Sequence, residues 1–228
     1  MTMLFVLLFS IILLPSSAWA WGPLTHLYLG SELFSYGPLI PAAVYAVMRQ
    51  YRQDFLYGNL MADIILGKKY LPDDRSSHSW DVALRLLDQA DDGPSKSFVY
   101  GYLSHLAADT VAHETLTEEK WDVGHTWVEL KADSIIDKAH WLQFIGISKT
   151  VQKRNDLVLE GSLDRFIFSF KTNRRIYKGI VLLSLMNRRR ARSIDREYIA
   201  GLHDESVARM LDLLQNGREA SVLTRRPL

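Results

Sequence analysis

The sequence contains no cysteine. That excludes disulfides, thiolate metal sites and a lipidated N-terminal cysteine, so any bound metal must be held by His, Asp, Glu or backbone groups. Charge is absent from the first twenty residues, MTMLFVLLFSIILLPSSAWA. The apolar run from Leu4 to Leu14 falls well short of the ~20 residues a spanning helix needs. It is followed by Pro15, small residues and Ala18-Trp19-Ala20, a small-x-small cleavage pattern. Residues 1–20 therefore read as a signal peptide, with Trp21 as the mature N-terminus and an exported product, periplasmic or extracellular. The n-region lacks the Lys or Arg usual in a signal peptide, and an uncleaved N-terminal anchor is the competing reading. Strict period-2 alternation is also scarce, as are internal repeats and low-complexity linkers, which leaves little room for a sheet or a solenoid.

What is present is helical patterning over 21–228, enough chain for one domain with its own core. Helices are predicted over Leu24–Phe34, broken by Gly37-Pro38, over Pro41–Arg52, and in part over Asp54–Leu66. A polar loop follows at Lys68–Ser77. Ser79–Ala90 is amphipathic and is stopped by Asp91-Asp92-Gly93-Pro94. Ser95–Glu114 is long, apolar and central, and Thr115–Gly124 is a loop. A helix over His125–Ala139, a turn near Gly146, and helices near 150–160, 162–186 and 194–216 complete the chain, with Asn173 and Asn187 as candidate breaks. The expected fold is all-α, a single multi-helix bundle.

Charge divides this bundle. Residues 1–150 carry 11 Lys+Arg against 17 Asp+Glu, and residues 151–228 carry 16 against 9. His26, His78, His105, His113 and His125 all lie in the acidic part, which marks 21–150 as a metal-site half and 151–228 as basic C-terminal helices. Within the central helix, His105, Asp109 and His113 recur every four residues and share one face. The intervening Leu, Ala, Thr and Val are core-like, so this polar stripe must find partners. His125 and Glu129 repeat the spacing further on, a common way to hold zinc on a helix. One such pair is ordinary hydrogen bonding or a solvated face; two on consecutive helices point towards metal.

Taken together, Trp21-Gly-Pro-Leu-Thr-His26, Asp63 in Tyr57-Gly-Asn-Leu-Met-Ala-Asp63, His78, His105-x3-Asp109-x3-His113 and His125-x3-Glu129 resemble the zinc-dependent phospholipase C family. The order of nine ligand positions is the specific signal. The resemblance implies a fold of the phospholipase C / P1 nuclease type and a three-zinc cluster. One ion would take Asp63, His78, His105 and Asp109. A second would take His113, His125 and Glu129. A third would take the amine and carbonyl of Trp21, with His26 and a bridging Asp109. If Trp21 is not the mature N-terminus, two ions are expected. The activity implied is hydrolysis of a phospholipid phosphodiester by in-line attack of a zinc-activated water, with Asp63 orienting or deprotonating it. His140 and His203 fall outside the pattern.

Related S1/P1-type single-strand nucleases share the Trp-Gly-x-x-x-His start but close the cluster with His-x3-Asp. Glu129 therefore favours the phospholipase side. Leu24 stands where some relatives carry an acid for the choline headgroup, and Asp109 and His113 are more closely spaced than in those relatives. The run Lys171 to Arg192 flanks an apolar stretch with cations, and its candidate role is peripheral contact of 171–192 with an anionic membrane. An ordinary core helix with solvated basic ends is the competing reading. Trp80, Trp121, Trp127 and Trp141 are candidates for a cleft or for the core. The expected assembly is a monomer acting on a phospholipid or other phosphodiester. Nucleic acid is a substrate only under the nuclease alternative. A third alternative is a non-catalytic zinc-stabilised domain that binds a membrane or partner.

Overall fold

The architecture turns on two glycines. Gly58 lies on a helix spanning Arg52–Met61, here α3, and Gly101 lies on the long helix Gly93–Leu116, here α5. A Cβ at Gly58 would fall 1.9 Å from the Phe98 carbonyl oxygen, and one at Gly101 would fall 1.9 Å from that of Phe55. Only glycine allows the two backbones to approach so closely, and α3 against α5 is the largest interface among the described elements. Phe55, Phe98 and Tyr102 are fully buried around this crossing. Removing an aromatic of this kind costs about 3–5 kcal/mol.

The computed structural model describes residues 21–64, 76–116, 133, 135–163, 170–186 and 196–227. Before α3 come α1 (Pro23–Glu32), a 3₁₀ stretch Leu33–Leu39 and α2 (Ala42–Gln50). Then follow a short 3₁₀ turn Ala62–Ile64, α4 (Trp80–Gln89) and α5. The chain continues as α6 (Lys138–Gly146), α7 (Lys149–Ser162), α8 (Phe170–Met186) and α9 (Arg196–Asn216), with 3₁₀ turns at Gly217–Glu219 and Ser221–Thr224. The described residues are thus all-α. None of the described helices is long and apolar enough to cross a membrane.

Two local expectations change, while the break expected at Gly37-Pro38 is present. Helix α1 ends at Glu32, and the 3₁₀ stretch that follows kinks at Tyr36, directly before that pair. A continuous helix from His125 to Ala139 is excluded by a break at Ile136–Asp137. Asp137 is extended (φ −63°, ψ 144°) and its carboxylate accepts the Ala139 N–H at 2.7 Å, starting α6 afresh. Asn173 lies fully buried inside α8 and breaks nothing. The signal segment 1–20, most of the polar loop, Trp121, His125, Trp127, Glu129, Asn187 and the arginines at 188–192 lie outside the described residues.

The C-terminal helices are fastened to α3 by buried charge. Asp54, 1% exposed, pairs with Arg154 of α7 and accepts from the Asn155 amide at 2.7 Å. One turn along, the Tyr57 hydroxyl donates to Asp156, whose other oxygen pairs with Arg174 of α8. Burial and the Asp156 carboxylate push the Tyr57 phenol up. At the far end of α5, Glu114 receives Arg209 of α9 and Arg225 of the terminal segment.

Candidate metal centre

The close crossing of α3 and α5 sets the centre. It brings the Asn59 carbonyl to 2.8 Å from Nδ1 of His105. A carbonyl can only accept, so Nδ1 carries the proton and Nε2 turns its lone pair inward. His78 is fixed in the same sense. The Ser77 hydroxyl donates to the Ala62 carbonyl at 2.8 Å, which leaves its oxygen to accept from His78 Nδ1 at 3.3 Å. The His78 N–H donates to Ser76 Oγ at 3.2 Å, and the Tyr102 hydroxyl donates to the Ser77 carbonyl. Two imidazole Nε2 acceptors thus face each other at 3.3 Å.

Carboxylates close in on the same point. Asp109, 0% exposed, places Oδ2 at 3.0 Å from His105 Nε2 and 3.1 Å from His78 Nε2. Asp63 enters from the 3₁₀ turn, with Oδ1 at 3.3 Å from His78 Nε2 and 3.8 Å from His105 Nε2. Donor atoms of Asp63, His78, His105 and Asp109 all lie within 4.8 Å of one another. Two ligands at about 2.0–2.1 Å from a tetrahedral ion are about 3.3 Å apart, so these separations suit a small cation.

The second oxygen of Asp109 faces a different set. Oδ1 lies 3.1 Å from His26 Nε2 and 3.3 Å from the Trp21 backbone nitrogen. His26 is fully buried and stacks on His105, with ring centroids 3.6 Å apart, yet neither of its ring nitrogens makes a hydrogen bond. Asp63 Oδ2 is 4.0 Å from the same Nε2. The Trp21 indole is pinned from behind, donating to the Ala108 carbonyl and to Ser206 Oγ. His203 packs edge-on against it, and burial lowers that histidine to about 4. His203 is thus a core residue.

The electrostatics favour a cation. Burial pushes the Asp109 carboxyl up, but His105 and His26 outweigh it and hold the group well below the usual carboxylate range. Burial pushes His105 down, and Asp109 with Asp63 reverses that, so its net direction is up. Burial and then the His105 charge keep His26 low. A centre of converging lone pairs and carboxylates, with orphaned ring nitrogens on His26, fits an ion with nitrogen and oxygen ligands, and zinc is such an ion.

The zinc dependent phospholipase C family model matches residues 25–177. The chain belongs to that family. No curated protein and no solved structure matches it significantly. The family match spans every sequence-predicted ligand position except Trp21, which precedes it. Of those positions the structure gathers Trp21, His26, Asp63, His78, His105 and Asp109. His113 is half-buried one turn further along α5, and its expected companions His125 and Glu129 lie outside the described residues.

One buried acid escaped the sequence reading. Asp133, 0% exposed, accepts from the Thr25 N–H at 2.9 Å, the Thr25 hydroxyl at 2.8 Å and the Leu24 N–H at 3.3 Å. It thereby caps the N-terminus of α1 from more than a hundred residues away. The available signal was its spacing, four after Glu129 and eight after His125. Ser77 and Tyr102 were missed as well, because a hydroxyl behind a ligand has no sequence pattern of its own.

Proposed function

We propose that the protein is an exported zinc-dependent phosphodiester hydrolase, acting on phospholipids as a phospholipase C. The observation that supports this best is the convergence of imidazole nitrogens and carboxylate oxygens on one buried point. Asp63, His78, His105 and Asp109 hold the first ion. His26, the Trp21 amine and carbonyl, and the other oxygen of Asp109 hold another. His113, His125 and Glu129 hold the remaining one. Trp21 supports the assignment by its place, since its buried nitrogen already faces Asp109 where a free amine would ligate. Cleavage after Ala20 would create that amine only on export.

Zinc in such a cluster, when bound, neutralises a phosphodiester and brings a water's pKa from 15.7 to about 7. The residues supply the rest. Asp63 is the one carboxylate of its four-residue cluster with appreciable exposure, 14% for its side chain, so it stands at the rim where water and substrate arrive. From there it accepts the proton of the water that attacks phosphorus in line. The bond to the glycerol oxygen breaks, releasing diacylglycerol and a phosphorylated headgroup. His78 and His105 are locked in tautomer and direction by Ser77 and Asn59, so the cluster needs no rearrangement as charge develops. On α8, Phe170, Asn173, Ile176 and Tyr177 face the core while Lys171 and Arg175 are exposed. With the 188–192 arginines, those two form the proposed contact with anionic lipid. The protein acts as a monomer.

The test is the intact mass and zinc content of the exported protein, followed by assays on phospholipid vesicles and on denatured DNA. The expected result is a chain beginning at Trp21, three zinc ions, and chelator-sensitive headgroup release from lipid. Hydrolysis of DNA instead of lipid would transfer the assignment to a nuclease. Full zinc occupancy with neither substrate cleaved would leave a zinc-stabilised binding domain.

A further inference from the structure

The first turn of α1 is a rigid clip between two proposed ligands. Trp21 and His26 stand at its ends, and the His26 N–H closes it by donating to the Gly22 carbonyl at 3.1 Å. Leu24 and Thr25, in the middle, present their N–H groups outward from the helix start. Those groups, and the Thr25 hydroxyl, are taken by the single buried carboxylate of Asp133. Gly22 completes the fit: a Cβ there would lie 2.4 Å from Asp133 Cγ. With φ at −71° and ψ at 163° the backbone itself accepts any residue, so glycine is required only by the carboxylate's approach. Asp133 thus seats the middle of the clip, while the Trp21 indole at one end is held by Ala108 and Ser206 and the His26 ring at the other stacks on His105.

We infer that Asp133 is a positioning residue for the ion held by Trp21 and His26, seating the 21–26 clip through its contacts with Gly22, Leu24 and Thr25. The inference rests on the three-ion reading above. Asp133 touches no reacting atom. Its carboxylate replaces water at exposed helix N–H groups, and its negative charge suits the positive end of α1. Because it follows Glu129 by four residues, the segment that carries ligands of one ion also seats the ligands of another. Filling the cluster and docking the N-terminus then become linked events.

Asp133→Asn keeps the shape and removes the charge. Gly22→Ala keeps the charge and displaces the carboxylate. Zinc per chain is counted by atomic absorption across a free-zinc series, and amide exchange of the 21–26 peptide is followed by mass spectrometry, both on the processed protein. For each variant the expected result is two tight ions, a third weakened by about 10–100-fold, as for the loss of a ligand's outer partner, and faster exchange in 21–26. The double variant should be no worse than the poorer single, since both act on one contact. A third ion bound as tightly as in the wild type overturns the inference, even if the melting temperature falls. Unchanged exchange in 21–26 does so too. If Asp133→Asn does not fold, Gly22→Ala decides alone by the same two readouts. A wild type that binds fewer than three ions overturns the three-ion reading itself, a result separable from any variant's behaviour.

Discussion

Two clusters of carboxylates lie close to α3, and they are satisfied in opposite ways. In one, Asp54 and Asp156 meet arginines, an asparagine amide and a phenol. In the other, Asp63 and Asp109 meet imidazoles whose outer nitrogens are engaged by Asn59 and Ser77, leaving the inner ones turned to the carboxylates. The first cluster supplies its own counter-charge from permanently charged guanidinium groups, so it is structural and finished. The second is arranged so that acceptors face acceptors, and its counter-charge must come from a proton or a metal ion. A buried acid therefore says little by itself. The protonation state imposed on its neighbours decides whether it is a fastener or a site.

The sharpest way to break the comparison is to empty the second cluster. Asp109→Asn removes the charge shared by two proposed ions, and zinc affinity should fall by more than the ~10–100-fold typical of an outer partner. Hydrolysis should be lost with it, and equilibrium dialysis against zinc checks the binding. Retained stoichiometry and affinity would mean that Asp109 is a hydrogen-bonding core acid like Asp54. A smaller effect is expected from Ser77→Ala, which leaves His78 in place but frees its tautomer. Zinc affinity should drop by about 10–100-fold, and the metal-free protein should lose about 1 kcal/mol with the bond from Ser77 to the Ala62 carbonyl.

The opposite pattern should appear on the structural side. Arg154→Met strips the guanidinium from buried Asp54, leaving Asn155 as its remaining named partner. Unfolding in urea should show a loss of about 1–3 kcal/mol, the cost of an under-satisfied buried group, moderated because the arginine is 40% exposed. Zinc content and hydrolysis per folded molecule should not change. A fall in zinc content would show that the two clusters are coupled through α3.

The smallest effect concerns a carboxylate outside both clusters. Partial burial pushes Asp212 up, but hydrogen bonds from Asn216 and Ser221, and from the Val222 N–H, prevail and hold it below the usual range. A depressed carboxyl stabilises the fold fully above its unfolded value of about 3.9 and ceases to as pH falls through its folded value. Asp212→Asn should therefore flatten the acid limb of the stability–pH curve slightly below pH 4, without affecting zinc. Circular dichroism across an acid titration would detect it, and an unaltered acid limb would remove Asp212 from the account.

Much of the site could be read from residue spacing. The four-residue rhythm of His105, Asp109 and His113 dictates one helical face, and the surrounding Leu, Ala and Val dictate that this face is buried. Helix ends were legible where chemistry marks them, as at Asp91-Asp92-Gly93-Pro94. There α4 stops, and Asp92 accepts the Ser95 N–H at 2.8 Å as α5 begins. They were not legible at Asp137, because an aspartate that caps the next helix looks the same in sequence as one inside a helix.

The sequence by itself determined the residue types that a metal centre needs, the central helix that carries His105 and Asp109, and the absence of any thiolate alternative. Those follow from local periodicity and from donor chemistry. Only the tertiary structure decided that Gly58 and Gly101 let two helices meet closely enough to place Asn59 behind His105. Only it decided that Asp109 turns one oxygen to His78 and the other to Trp21, and that Asp133 reaches across the chain to α1. Each of these is a contact between residues distant in sequence, and no local propensity encodes such a meeting.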